Sequence, residues 1–329
     1  MANTFAYIIL ILWPFISLLF YKRLPVIHAT FWTIVGGFLI LPVRFDIDFP
    51  LIPPLGKESI PALAALIGCI YIKKIKIKLI PQNGLERWFI IILLISPIIT
   101  VFTNQEVING ISGLTMHDAF SSIINQYIRL LPLIIGMQLI KTHEDLLVIF
   151  KLLVISALAY SLLILFEIRM SPQLHTWVYG YFPHTFGQQA RFGGFRAVVF
   201  LGHGLIVSMY LAIVLGAVTI LKKQKIRIYG IPLGLIIAYF IVVLILNKTV
   251  SGFLLGMLLF VIIGWLSINF IRRSALLFIF IVLLYPALAI MGLFPHQLLV
   301  DMATNLDPER GASLAFRFHH ESLLLEHAQ

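Results

Sequence analysis

Long apolar runs separated by short polar breaks make up most of the chain, and the length of the runs decides what they are. About 17–25 apolar residues suffice to cross a hydrocarbon core as a helix. Ten candidates follow one another, at residues 4–20, 26–43, 59–72, 88–103, 119–140, 146–168, 197–221, 229–246, 249–271 and 274–293. The third is short and follows the turn signal Pro53-Pro54-Leu55-Gly56, which blurs its outer boundary. Only Asn247-Lys248 parts the eighth from the ninth, the spacing of a tight helical hairpin. The first run has no basic n-region and no small-residue cleavage site, so it reads as a retained span rather than a signal peptide. No periodic repeat or low-complexity linker divides the chain. The pattern predicts an all-α, polytopic transmembrane bundle of about ten spans over residues 1–293. Residues 294–329 then read as the start of a large outer loop.

The polar breaks carry an orientation. Lys22-Arg23, the basic run 73–78 with Arg87, Lys141, the run 222–227 and Arg272-Arg273 fall on one side and hold fourteen Lys and Arg. The other side holds eight: Arg44, Lys57, Arg169, Arg191, Arg196, Lys248, Arg310 and Arg317. Arg129 and Lys151 lie within or at the edge of spans. Basic short loops stay in the cytoplasm. Both termini and the loops 169–196 and 294–329 are therefore expected outside a bacterial inner membrane, on the periplasmic side.

Composition agrees. The chain is 60% hydrophobic and 12% charged, whereas an ordinary soluble domain carries about 25% charged residues. A net charge of +10 would point to nucleic acid in a soluble protein. Here it follows from membrane orientation, and no nucleic-acid partner is expected. Cys69 is the only cysteine, which excludes an internal disulfide and a cysteine-based metal centre. No histidine pair has the i, i+4 spacing with a nearby carboxylate that marks zinc.

Residues 191–210, RFGGFRAVVFLGHGLIVSMY, bear the strongest chemical signal. Arg191 and Arg196 flank Gly193-Gly194 at the outer mouth of a span, and guanidinium groups there suit bidentate capture of phosphate. Anchoring to lipid headgroups is the competing reading. His203 follows Arg196 by seven residues, about 10 Å deeper on a continuing helix; a ligand contact and a buried hydrogen-bonded histidine both remain open. In the preceding loop Trp177, Tyr179, Tyr181, Phe182 and Phe186 suit either an interfacial belt or a surface for stacking sugars. In the fifth span Asp118, Ser122, Asn125, Arg129, Pro132 and Gly136 share a face. A cation there is a functional candidate, unless Asn125 and a neighbouring carbonyl merely satisfy it.

Eight histidines (117, 175, 184, 203, 296, 319, 320 and 327) fall on or near the outer side, where imidazole can act as a base; loops also gather polar residues for no chemical reason. Asp307-Pro308-Glu309 marks a helix start. A helix from there puts Arg310, Ser313, Arg317, His320 and His327 on one face, either a pyrophosphate clamp or a solvated surface. The ending at 326–329 reads as an interrupted loop, so the chain is expected to be a truncated piece whose own activity is in doubt.

These residues resemble the O-antigen ligase and polysaccharide polymerase family of polytopic membrane glycosyltransferases. RFGGFRAVVFLGHGL (191–205) resembles its arginine–glycine approach to a central span. LNKTVSGFLLGMLLF (246–260) resembles its Ser-Arg-Gly-type span start, and DPERGASLAFRF (307–318) the opening of its large periplasmic loop. Lys248 and Ser251 stand where the family has an arginine after a serine, which keeps the charge and loses the bidentate fork. The family's proposed catalytic histidine follows later in the large loop; His319 and His320 precede that position and are the weak candidates present. The resemblance implies transfer of a polyprenyl-pyrophosphate-linked glycan to a hydroxyl of a glycan, lipid or protein acceptor. A histidine would be the base, and Arg191, Arg196 and Arg310 would hold phosphate, with Arg317, Arg129 and His203 behind them. It requires no metal or cofactor. Two other classes compete: a transporter or flippase of a lipid-linked or anionic substrate, and an inactive truncated remnant.

Overall fold

The computed structural model describes residues 2–49, 52–81, 84–107, 112–191, 193–306 and 308–328. They form two compact units, Met1–Gly264 and Trp265–Gln329. The first begins with α1 (Thr4–Arg23) and α2 (Val26–Ile40). A short antiparallel hairpin of β1 (Ile47–Phe49) and β2 (Ile52–Leu55) follows, with Ile47 opposite Leu55. Then come α3 (Ser59–Ile67), extended by a π-helical turn (Gly68–Ile72), α4 (Gly84–Thr103), α5 (Met116–Leu139) and α6 (His143–Met170). The connection after α6 contains α7 (Leu174–Tyr179), a 3-10 turn (Phe186–Gln189) and a two-residue hairpin of β3 (Ala190–Arg191) and β4 (Gly194–Phe195). It leads into α8 (Gly204–Lys223), α9 (Leu233–Leu246) and α10 (Val250–Trp265). The second unit holds α11 (Ile268–Ile290), α12 (His296–Leu306) and α13 (Pro308–Ala328).

The protein is thus all-α apart from these small hairpins. Among the described residues six helices are long and apolar enough to cross a membrane: α1, α4, α5, α6, α8 and α11. Four shorter apolar helices, Val26–Ile40, Ser59–Ile72, Leu233–Leu246 and Val250–Trp265, do not reach that length. Phe15, Ile92 and Phe102 are about three-fifths exposed on α1 and α4. Lipid is the natural solvent for such surfaces, so the chain is a multi-pass membrane protein.

Caps and small residues set the helices in place. Thr115 with Asp118 and Thr142 with Asp145 form capping boxes at the starts of α5 and α6. Asp118, expected on a functional face, is thereby spent on its own helix end. One core gathers α6, α8 and α9 around Val154, Ile164, Leu211 and Phe240. Another gathers α1, α2, α3 and α5 around Tyr21, Ala65 and Leu131. Gly252 of α10 lies so close to Ser208 of α8 that an added Cβ would fall 2.2 Å from the serine Cβ. Small residues at helix crossings allow such approach where lipid gives no hydrophobic drive.

Two boundaries differ from the sequence reading. Residues 197–203 are not the first turns of a span: α8 starts at Gly204, with His203 as its N-cap. Val199 (φ 47°) and Gly202 (φ 84°) adopt left-handed backbone that no helix accommodates. The other difference is at the tenth run. Ser267 caps α11 by accepting the Phe270 N–H, so Arg272-Arg273 lie inside the helix and not in a loop. Pro308 does open α13; Asp307, its expected N-cap, and the side chains of Arg310 and His327 lie outside the described residues.

Candidate functional site

Residues 171–203 fold over one end of the bundle, the end away from the basic loops 73–78 and 222–227. Non-helical backbone in such a place must find partners for its polar groups, and three side chains supply them. Glu167, fully buried near the end of α6, accepts Leu174 N–H (2.9 Å) on Oε1 and Val198 and Val199 N–H (2.8 and 2.7 Å) on Oε2. The Tyr160 hydroxyl accepts Phe200 N–H at 3.0 Å. Asn247, buried in the α9–α10 turn, accepts Ala197 N–H at 2.9 Å and donates to Ser208 Oγ at 2.7 Å.

The aromatic part of this connection is mostly structural. Tyr179 is buried and donates to Ile40 O at 2.6 Å, and Tyr181 donates to Val43 O. His175 lies between their rings and links Tyr181 O to Val43 N. Burial lowers its imidazole to about 4, which keeps it neutral. Trp177 and Phe186 remain exposed.

Onto this frame the fold brings a group of cations. Arg196 is nine-tenths buried and donates to Gln188 O, while its Nε has no partner. Desolvation and then Arg191 lower its guanidinium below the usual range. The β3–β4 hairpin turns through Gly193 (φ 66°). At Gly194 a Cβ would meet Lys248 Nζ at 2.2 Å, so the glycine admits a lysine ammonium from the α9–α10 turn.

His203 and His184 stack edge to face, with centroids 4.8 Å apart. Each accepts a backbone N–H on Nδ1, from Leu205 at 3.0 Å and Thr185 at 2.8 Å. In a neutral imidazole the proton then sits on Nε2, which presents a donor and not a base. Desolvation, then Arg196, His184 and Arg44, push the His203 imidazole below its usual value. His203 therefore stays neutral and offers an N–H. This corrects its expected place deep on a helix: it sits at the mouth, on the cap.

Arg44, in the loop after α2 with φ 54°, joins this cluster to a cavity of about 430 Å³ between the β1–β2 hairpin, α3, α5 and the start of α8. Arg129 reaches into the cavity from α5 and pairs with Glu58 at 2.7 Å, both side chains largely open. A carboxylate, not Asn125 or a carbonyl, thus answers the intramembrane cation. Lys57 lies in the wall, donating from Nζ to Leu41 O (2.9 Å) and to Phe200 O. Its burial lowers the ammonium to about 7.

Of the residues expected to bind substrate, Arg191, Arg196 and His203 come together, and Arg129 faces the cavity that Arg44 shares with them. Arg317, His319 and His320 belong to α13 in the second unit. There His319 lines a cavity of about 420 Å³ with His296 and Glu321, Tyr285 donates to Glu321 at 2.6 Å, and His320 packs on Phe316. Arg44, Lys248 and His184 were not among the residues expected to bind substrate, although Arg44 and Lys248 were read as cations on the side that the charge rule disfavours, Lys248 also stood at the family's span-start motif, and His184 was one of the outer histidines. No group of three or more His, Cys, Asp or Glu placed to hold a metal ion occurs among the described residues.

No family model, curated protein or solved structure matches the chain.

Proposed function

We propose that the protein transfers a polyprenyl-pyrophosphate-linked glycan to an acceptor hydroxyl at the periplasmic face of the bacterial inner membrane, as O-antigen ligases and polysaccharide polymerases do. In this reading the four shorter apolar helices also cross, giving about ten spans with the termini outside. The observation that carries the proposal is the convergence of Arg44, Arg191, Arg196 and Lys248 with the His184–His203 pair at one end of the bundle. Guanidinium and ammonium groups neutralise a departing pyrophosphate, and imidazole Nε2–H donors add hydrogen bonds as its charge develops.

The test is the Arg191→Ala/Arg196→Ala double variant in membranes. Membrane insertion should be unchanged while donor binding and transfer are lost; transfer at the wild-type rate would sink the assignment. A second reading, passage of an anionic lipid-linked substrate, draws on Arg129, about 20 Å of helical rise inside α5 and open to the cavity. It requires that liposomes containing the protein move such a lipid between leaflets and that Arg129→Ala stops this.

A further inference from the structure

The cavity beside the cation cluster has unspent hydrogen-bonding capacity of both signs. Arg44, Asp46 and Asn125 line it, and among the described residues none of these three side chains makes a hydrogen bond. The Arg129–Glu58 pair adds a further cation and a second carboxylate, both open to the space, beside Lys57 in the wall. Formal charges nearly cancel, unlike those at the mouth, so a simple anion is a poor fit. A ligand must instead give and accept hydrogen bonds on several sides while carrying little charge. Planar carboxylate, amide and guanidinium groups each address adjacent hydroxyls in pairs. A volume of about 430 Å³ lies within the range of small-ligand pockets.

We infer that this cavity is the acceptor pocket, that it takes a neutral hydroxyl-rich sugar, and that the Asp46 carboxylate receives the proton of the attacking hydroxyl. The inference rests on the transfer reading above. The two histidines at the mouth present N–H and not a lone pair, which leaves the cavity carboxylates as the nearby acceptors of a proton. Glu58 is paired with Arg129 at 2.7 Å, whereas Asp46 feels Arg129 only at longer range. Its Oδ1 lies against Gly56, where an added Cβ would fall 1.6 Å away, so the glycine leaves room for the carboxylate. Desolvation, then Asp48 and Glu58, raise its carboxyl above the usual range, and Arg129 opposes them; a raised carboxyl is a stronger base. In the step itself the acceptor O–H proton passes to Asp46 and the oxygen bonds to the anomeric carbon. The bond from that carbon to the phosphate oxygen breaks, and its electron pair leaves on the pyrophosphate. Arg44 belongs to both spaces and keeps the leaving group beside the pocket.

The experiment uses the full chain in phosphatidylethanolamine/phosphatidylglycerol nanodiscs. Saturation-transfer NMR is recorded with methyl glycosides of glucose, galactose, N-acetylglucosamine and rhamnose, with glycerol as control. At least one glycoside should bind, and Asn125→Ala should weaken it about tenfold, the size of one hydrogen bond to a well-placed polar group. Asp46→Asn should bind the sugar within a few-fold of wild type and slow transfer at least about a hundredfold, as loss of a general base does. Thermal unfolding confirms that each variant is folded. No glycoside binding above the glycerol control, binding unmoved by Asn125→Ala, or Asp46→Asn transferring at the wild-type rate would each overturn the inference. Sugar binding with no transfer by the wild-type protein would overturn the transfer reading and leave the pocket standing.

Discussion

Glu167 holds the arginine-bearing connection to the bundle, and replacing it by Gln tests that architecture without reference to any substrate. The carboxylate accepts three backbone N–H groups at 2.7–2.9 Å from a fully buried position. A glutamine of the same shape can keep its carbonyl towards Val198 and Val199. Its NH2 then faces the Leu174 N–H, donor against donor. One buried donor left unsatisfied costs about 1–3 kcal/mol, and weakening two charge-assisted bonds to neutral ones costs about 1 kcal/mol each. The carboxylate's own desolvation is relieved in the exchange, so about 3 kcal/mol is the expected net loss. A cysteine placed at Ala197, which is fully buried, reads the opening directly through its maleimide labelling rate; the native Cys69 is also buried and gives a low background. A loss of about 3 kcal/mol raises the open population, and with it the labelling rate, about a hundredfold. Labelling within about twofold of the Glu167 protein would refute the idea that this carboxylate pins the segment, since even one lost bond of this kind predicts more.

Three further outcomes follow from single contacts. Lys57 is lowered from 10.5 to about 7 in the folded protein, so between those values the unfolded chain holds the extra proton and stability rises with pH, by up to about 1.4 kcal/mol per unit. The apparent Tm of the wild type should climb from pH 7 to pH 9 and that of Lys57→Met should stay flat; parallel curves would contradict the burial argument. Gly252→Ala puts a methyl group 2.2 Å from Ser208 Cβ and 3.2 Å from its backbone carbon, which separates α8 from α10 at a cost of about 1–3 kcal/mol, read by thermal unfolding. Gly194→Ala meets only the end of the Lys248 side chain. It should leave Tm almost unchanged and weaken pyrophosphate binding a few-fold, and unchanged binding would remove Lys248 from the anion site.

Helices were legible where burial in lipid leaves a local mark. Apolar runs announce α5 and α6 within a few residues, because that signal lies inside the elements it defines, while the Thr–Asp capping boxes at their starts went unread and Asp118 was placed on a functional face. The run 197–203 misled for the same reason. Ala-Val-Val-Phe-Leu is apolar enough to open a span, and nothing within it says otherwise until Gly202. What keeps it non-helical is Glu167, Tyr160 and Asn247, which reach its amides from 31 to 50 residues away. Hydrophobic pattern reports the solvent of a segment; it does not report which distant acceptor satisfies the backbone.

The site was legible in part for a related physical reason. A cation on the disfavoured side of a membrane protein opposes the charge rule and so stands out in the sequence. Of the eight Lys and Arg read on that side, Arg44, Arg191, Arg196 and Lys248 gather at the mouth and Lys57 lines the adjoining cavity. The sequence displays the exceptions but not their convergence, since residues 44, 196 and 248 meet only after α2, α8 and the α9–α10 turn are packed. Arg191 and Arg196 stood out because their glycines lie beside them in the chain. Lys248 belongs to the same cluster because Gly194 makes room for it, across 54 residues that carry no trace of the contact. An exception to the charge rule therefore nominates a residue, and only the fold decides which nominees stand together.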